Sequence, residues 1–395
     1  MPLGHHRRRS HFVNLSHNTA ATTYDRAVAN RLTPPSVRPR ALSRRRRSVV
    51  PRTTLTDDPF GHLDDHVRRY LTEGTANGET DRHNRRALDA LRVVPRVLEL
   101  AAAPVVSTAA HLLGRPVAAP LAIAPMAAQR LAHPDGELAV ARAAARVGVP
   151  MVLSLSSTTP VETICDVAGL EVWFQVYPFA DAGETDAVIS RAIAAGASAV
   201  VLTVDLPPTG QTVAIGRAIE LPPGAGYAHH GPAPAMATAF GWGDLARLIA
   251  AAEVPVLVKG ITHPLDADRA VAAGAAGVIV SNHGGRVLDG LIAAIDALDD
   301  LDRHWRTPGT VACPRLVDGS IRTGVDVIRA LALGAEGVLV GRTVLQALAR
   351  GGEEAVFDRL SALVADVHHT LAVLGARSPA AVEREHVRWG SAGRR

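Results

Sequence analysis

Two glycine-bearing turns in the last third of the chain have the makings of a phosphate site. VDGSIRTG (317–324) and VLVGRT (339–344) each open a helical pattern, and each carries an arginine, Arg322 and Arg342. Backbone N–H groups at the start of a helix, joined by a guanidinium fork, bind a phosphate well. Its owner could be flavin mononucleotide, a phosphosugar or a nucleotide. A second signal is Lys259, the single lysine in a chain with 41 arginines. Such a skew points to arginine standing wherever plain positive charge suffices, so the remaining lysine marks a place that needs a compact ammonium.

Further polar groups recur at the ends of apolar runs: Ser154, Gln175, Tyr177, Thr203, Asp205, Ser281, Asn282, His283, Asp318, Gly341 and Arg342. Each alone has an ordinary structural reading. Thr203 or Ser281 could be a satisfied strand-end hydroxyl, Asp318 a helix N-cap, and His283 a core histidine. Those readings do not explain why at least six of eight runs carry such a group at the same end.

The elements that must position these residues are legible as a repeat. The runs LAIAP (121–125), MVLSL (151–155), VWFQV (172–176), AVVLTV (199–204), PVLVK (255–259), GVIVS (277–281), RLVDG (315–319) and GVLVG (337–341) are nearly continuous apolar segments, the mark of strands buried on both faces. Ala-rich amphipathic stretches separate them, such as 136–148, 184–196, 264–274 and 324–334, and each ends in Gly, as helix C-caps do. Eight strand–helix units in series predict a TIM (β/α)₈ barrel, whose chemistry lies at the carboxyl ends of the strands. The expected organisation is an Arg-rich disordered tail at 1–56, an N-terminal helical cap at 57–119, the barrel at 120–352, and a C-terminal helix and tail at 353–390. The Gly/Pro/Ala-rich stretch 206–241 reads as a lid or mobile loop.

Composition narrows the setting. Residues 1–56 hold twelve arginines and one acid, Asp25, and the other 339 residues carry 30 basic and 37 acidic groups. The net charge of +4 therefore comes from the tail and gives no reason to expect nucleic-acid binding by the core. No apolar run is long enough to span a bilayer. Cys165 and Cys313 have neither a disulfide framework nor a metal-ligand spacing, which predicts a reducing, cytoplasmic setting and no metal.

At SNHGGRVLDG (281–290) the sequence resembles the FMN-dependent α-hydroxy acid oxidase family, which includes glycolate, lactate and hydroxymandelate oxidases. The likeness runs from about Tyr70 to Gly375 and takes in IAPMAAQRLAHPDGELAVARAA, WFQVY, LTVD, VLVKG, LVDGSIRTGVDVIRALALGA and VGR in order. It implies FMN as cofactor. The backbone of Ala124, Pro125, Met126 and Ala127 with Ser154, Gln175 and Thr203 would hold the isoalloxazine ring. Lys259 would stand by the N1–O2 edge, where negative charge gathers on reduction, and Ser281 would also bind the cofactor. Asp318, Gly319, Ser320, Arg322, Gly341 and Arg342 would hold the ribityl chain and phosphate. His283 would be the base with Asp205 as its carboxylate partner, Arg286 and Tyr70 would bind the substrate carboxylate, and Tyr177 the substrate hydroxyl. The resemblance also implies a homotetramer, a small 2-hydroxy acid as substrate, and dioxygen or a soluble carrier as electron acceptor.

Two departures bear on the substrate. The family carries an arginine after the strand-four Asp, and DLPPTGQT places Thr212 there, with Arg217 five residues on. Ser156 stands where glycolate-type enzymes have a bulky aromatic. Both favour a substrate larger than glycolate, and they keep open an amine or non-acid alcohol. A flavin-binding barrel without turnover is the other alternative; the set Tyr177, Asp205, Lys259, His283 and Arg286 argues against it, because binding alone needs no oriented base.

Overall fold

Strands rich in Val, Ile and Leu on both faces need cover on both faces, and a closed parallel barrel ringed by helices provides it. The computed structural model describes residues 58–99, 105–206, 219–231 and 234–390. Helices α1 (Asp65–Thr72) and α2 (Glu79–Ala90) precede the barrel. Its strands are β1 (Leu121–Ile123), β2 (Met151–Ser154), β3 (Val172–Val176), β4 (Ala199–Thr203), β5 (Val256–Ile261), β6 (Gly277–Val280), β7 (Arg315–Val317) and β8 (Gly337–Val340). All neighbours pair in parallel, and β8 closes on β1 through Val338↔Leu121 and Val340↔Ile123. The strands alternate with α3 (Gly136–Val147), α4 (Val161–Cys165), α5 (Ala182–Ala194), α6 (Trp242–Ala251), α7 (Pro264–Ala272), α8 (Ala294–Trp305), α9 (Gly324–Ala332) and α10 (Arg342–Leu374). The fold is a TIM (β/α)₈ barrel.

The core has two layers. Side chains such as Trp173, Val152, Val201, Leu257, Ile279 and Leu339 fill the barrel interior, and the remaining apolar residues lie between strands and helices. A short antiparallel hairpin, Ala110–Leu112 with Arg115–Val117, sends Leu112 and Val117 into the interior cluster at the amino-terminal end of the strands. That end is therefore plugged, leaving the opposite mouth for chemistry. A second antiparallel pair, Leu91–Val93 with Val387–Trp389, ties the segment after α2 to the end of the described chain.

Helix α10 breaks at Gly351–Gly352, where Gly352 has φ 58°. The part before the break is the eighth barrel helix, and the part after it corresponds to the C-terminal helix expected within 353–390. The long segment after β4 is described at 219–231 and 234–241, and those residues form no helix before α6; Met236 forms a bridge with Phe179. Residues 1–56, Thr212 and Arg217 lie outside the described residues. Among the described residues no helix is long and apolar enough to cross a membrane.

Candidate active site

The SNHGGR segment leaves β6 in a conformation few sequences allow. His283, Gly284 and Gly285 have φ of 57°, 63° and 76°, three left-handed residues in succession. A Cβ on Gly285 would stand 3.0 Å from the Asp81 backbone nitrogen, so the turn can lie against α2 only as glycine. The left-handed His283 costs about 1–3 kcal/mol, and the surroundings hold it there. Its own N–H donates to Ser281 Oγ at 3.0 Å, and the Gly285 carbonyl accepts from the Thr75 N–H at 2.7 Å.

This turn brings His283 to Asp205 and Tyr177. Nδ1 of His283 lies 3.0 Å from Asp205 Oδ1, and Nε2 lies 3.4 Å from the Tyr177 hydroxyl. Asp205 follows β4, and its place depends on Gly260 in β5. Gly260 has φ 106° at an irregularity in the β5–β6 register, and a Cβ there would come within 2.5 Å of the Asp205 Cβ. Burial alone would push the Asp205 carboxyl up, but the charge and hydrogen bond of His283, with the charge of Lys259, hold it below the usual carboxylate range. An anionic Asp205 selects the His283 tautomer with its proton on Nδ1, leaving Nε2 as the basic nitrogen. Burial, and then the Asp205 charge, push the Tyr177 phenol far up, so it remains a hydrogen-bond donor.

Arg286 comes from the same turn and is held by backbone rather than by acids. Its Nη1 donates to the carbonyls of Tyr70 and Glu73 at 2.7 and 3.0 Å, and its guanidinium lies 5.0 Å from the Tyr70 ring centroid. Burial lowers its pKa and the nearby Arg342 adds to this, against the opposing influence of Tyr70 and Tyr177. No carboxylate of the described residues is bonded to it, so it can receive one from a ligand.

Next to this turn, on the strand paired with β6, Lys259 is buried near the end of β5. Its Nζ donates to Ser281 Oγ at 3.0 Å and stands 3.4 Å from Asp318 Oδ2. Ser154 Oγ donates to Gln175 Oε1 at 3.1 Å, which orients the amide. Gln175 Nε2, Thr203 Oγ1, Asp318 Oδ1 and Asp205 Oδ2 are all buried without a partner among the described residues. Buried polar atoms are nearly always satisfied, so four unsatisfied ones at the ends of β3, β4 and β7 point to a ligand with a polar edge. The Ala124 N–H is spent on the Val340 carbonyl (2.9 Å), and Ala128, with φ 52°, turns the chain after Met126 and Ala127.

The phosphate-type turns are also built. Gly319 and Ser320 have φ of 97° and 60°, and the N–H groups of Arg322 and Thr323 donate to Asp326 at the start of α9. Gly341 precedes α10, whose first residue is Arg342. A flat ring with hydrogen-bonding edges and a phosphate tail, as FMN has, fits this arrangement: unsatisfied groups and Lys259 lie along one wall, with the Gly341–Arg342 start of α10 beyond, while Asp326 and Asp366 already take the N–H groups that open α9.

Several residues near the site carry no motif. Asn84 of α2 exchanges two side-chain hydrogen bonds with Asn282 (3.0 and 2.8 Å), and Asp81 contacts Arg342. Buried Glu137 accepts from the Gln129 N–H, the Thr158 N–H and both the Thr158 and Thr159 hydroxyls, and so braces the loop after β1. Ser156 does not face open space, because His230 Nε2 lies 2.9 Å from its hydroxyl and the His230 ring stacks on Tyr227. Hydrogen bonds to the Leu155 carbonyl and the Val161 N–H tie down His229, whose pKa burial lowers. Cys165 and Cys313 are free, and burial pushes each thiol up to about 11, which leaves no ready thiolate.

Known proteins agree with this geometry. Residues 61–389 match the family described as FMN-dependent dehydrogenase. An L-lactate oxidase from Nostoc sp. is 39% identical over 339 residues, covering 80% of this chain and 91% of that protein. A 4-hydroxymandelate oxidase from Amycolatopsis orientalis is 38% identical, covering 81% and 93%. The crystal structure of a mandelate oxidase with 3,3-difluoro-2-hydroxy-3-phenylpropionic acid aligns with a TM-score of 0.75 at 36% identity, over 84% of this chain and 97% of that one. The strand-end residues, the left-handed HGG turn and a match running through nearly the whole barrel place this chain in the FMN-dependent dehydrogenase family, an oxidoreductase with FMN as its cofactor.

Proposed function

We propose that the protein oxidises a 2-hydroxy acid to the corresponding 2-oxo acid, with His283 as the base. The observation that carries this reading is the alignment of His283 between Asp205 and Tyr177, on the same turn as Arg286. Bound FMN supplies the acceptor for the two electrons leaving the substrate carbon. Arg286 binds the substrate carboxylate beside Tyr70, which fixes the reacting carbon. Tyr177 hydrogen-bonds the substrate hydroxyl. Two protons and two electrons leave the substrate; His283 Nε2 takes one proton, the other going with the electron pair, and the imidazolium is stabilised by the Asp205 anion on the other ring nitrogen. Gln175 and Thr203 would hold the polar edge of the ring, and Lys259 would supply positive charge there.

The relatives named lactate and hydroxymandelate oxidase support a 2-hydroxy acid as substrate. Dioxygen as final acceptor, a cytoplasmic location and a homotetramer complete the proposal, together with a division into cap (57–119), barrel (120–352) and C-terminal segment (353–390). Thr212 in place of an arginine favours a substrate larger than glycolate, although His230, and not open space, stands against Ser156.

The test is an anaerobic panel of lactate, mandelate and longer 2-hydroxy acids added to the purified flavoprotein. Bleaching of the flavin bands by one or more acids supports the reading, and the His283→Ala protein should stay oxidised under the same conditions. Flavin that no acid bleaches, but that an amine or non-acid alcohol does, would reject the proposed substrate class.

A further inference from the structure

A carboxylate of this chain stands on the groups that would receive a phosphate. Asp81 belongs to the first turn of α2, outside the barrel. Its Oδ1 lies 2.5 Å from Arg342 Nη2 and accepts a hydrogen bond from Ser320 Oγ at 3.3 Å. Arg342 opens the helix after β8 and Ser320 lies in the turn after β7, so a single carboxylate oxygen bridges both phosphate-type turns. The placement is not that of a loose surface side chain. Arg85, one turn further along α2, donates to the Ser320 carbonyl at 3.0 Å and forms two bonds with Asp326 (2.9 and 2.8 Å). On the other side, Asp289 accepts from the Asn77 and Thr80 N–H groups. Helix α2 is therefore pinned against the β7 and β6 turns on both flanks of Asp81.

The charges nearby give the contact a purpose. Lys259, Arg286 and Arg342 all lie around the barrel mouth, and burial followed by the proximity of Arg342 depresses the Arg286 pKa. An anion on Arg342 relieves that repulsion. A phosphate would do so in the loaded protein, and Asp81 does so without one.

We propose that Asp81 is an internal counter-anion of the phosphate site, which occupies Arg342 and Ser320 and thereby weakens the hold on the phosphate of FMN. The inference rests on reading 317–324 and 339–344 as that site. The FMN phosphate carries up to two negative charges and must share Arg342 with a carboxylate or displace it, and like charges at this range disfavour each other. Asp81 thus keeps the two turns assembled in the empty protein at the expense of cofactor affinity, so occupancy follows the free FMN concentration.

Titration of the apoprotein with FMN and with riboflavin, read by flavin fluorescence, tests this. Riboflavin has the same ring and ribityl chain and no phosphate. Asp81→Asn keeps the shape and removes the charge; it should lower the Kd for FMN about tenfold and leave that for riboflavin unchanged. Asp81→Ser should act in the same direction. Arg342→Met should raise the Kd for FMN and leave that for riboflavin unchanged. If Arg342→Met behaves so while neither Asp81 variant tightens FMN, or both shift riboflavin equally, the counter-anion role is rejected and the phosphate site stands. If Arg342→Met affects the two flavins alike, the phosphate site itself is misread and the role of Asp81 falls with it.

Discussion

His283 Nδ1 lies 3.0 Å from Asp205 Oδ1 across 78 residues of chain, and the contact exists because Gly260 has no side chain. The pair sets both the tautomer and the charge of the base. Asp205→Asn should keep the fold, remove the anion that stabilises the imidazolium, and slow flavin reduction on the order of 10²-fold. Stopped-flow bleaching at saturating substrate measures it, and a rate within twofold of wild type would remove Asp205 from the mechanism. Gly260→Ala should lose activity by a similar factor, since its Cβ would displace Asp205.

Thr203 Oγ1 is buried with no partner among the described residues. Thr203→Val should therefore leave the apoprotein as stable as wild type, or up to about 1 kcal/mol more stable, while raising the Kd for FMN about fivefold. Chemical denaturation and flavin titration read the two effects separately. A less stable apoprotein with unchanged FMN affinity would mean that Thr203 serves the fold only.

Arg286 rests on two backbone carbonyls and over the Tyr70 ring. A lysine has neither the planar fork nor the reach to keep these contacts and also hold a carboxylate. Arg286→Lys should lower kcat/KM about a hundredfold, with most of the loss in KM. Steady-state kinetics on the best substrate of the panel would show it, and a loss confined to kcat would move Arg286 away from substrate binding.

Asp326 gives a dependence on pH. Burial would raise its pKa, but the hydrogen bond and charge of Arg85, with help from the Arg322 N–H and Arg329, hold it below its usual value. A carboxylate depressed in the folded state contributes stability that is fully present above its unfolded pKa and is lost as pH falls through the folded one. Asp326→Asn should therefore be less stable than wild type at pH 7, by about 3 kcal/mol. The gap should narrow below about pH 4, where the unfolded aspartate protonates. Denaturant midpoints at pH 7 and at acid pH test the sign, and a gap that widens in acid would rule out the linkage.

Barrel and site differ in how far the sequence alone prescribes them. The eight strands were legible because burial on both faces leaves a local mark, a short run without polar residues, and helix C-caps leave glycines. The strand-end residues Gln175, Thr203, Lys259 and Asp318 were legible for the same reason, since a polar group ending an apolar run has only the mouth to face. The HGG turn was legible only through the resemblance that SNHGGR carries, and the structure supplies the reason for Gly285, which lies against the backbone of α2 with positive φ. Nothing local announces Asp81, Asn84 or His230. Each acts through a partner distant in sequence: Asp81 and Arg342 are 261 residues apart, Asn84 and Asn282 198, and Ser156 and His230 74. A hydrogen bond depends on distance and direction in space, and neither is encoded in spacing along the chain. The sequence by itself determined the barrel and the chemical types gathered at its mouth, while only the tertiary structure decided that a helix outside the barrel places its own anion on the phosphate turns.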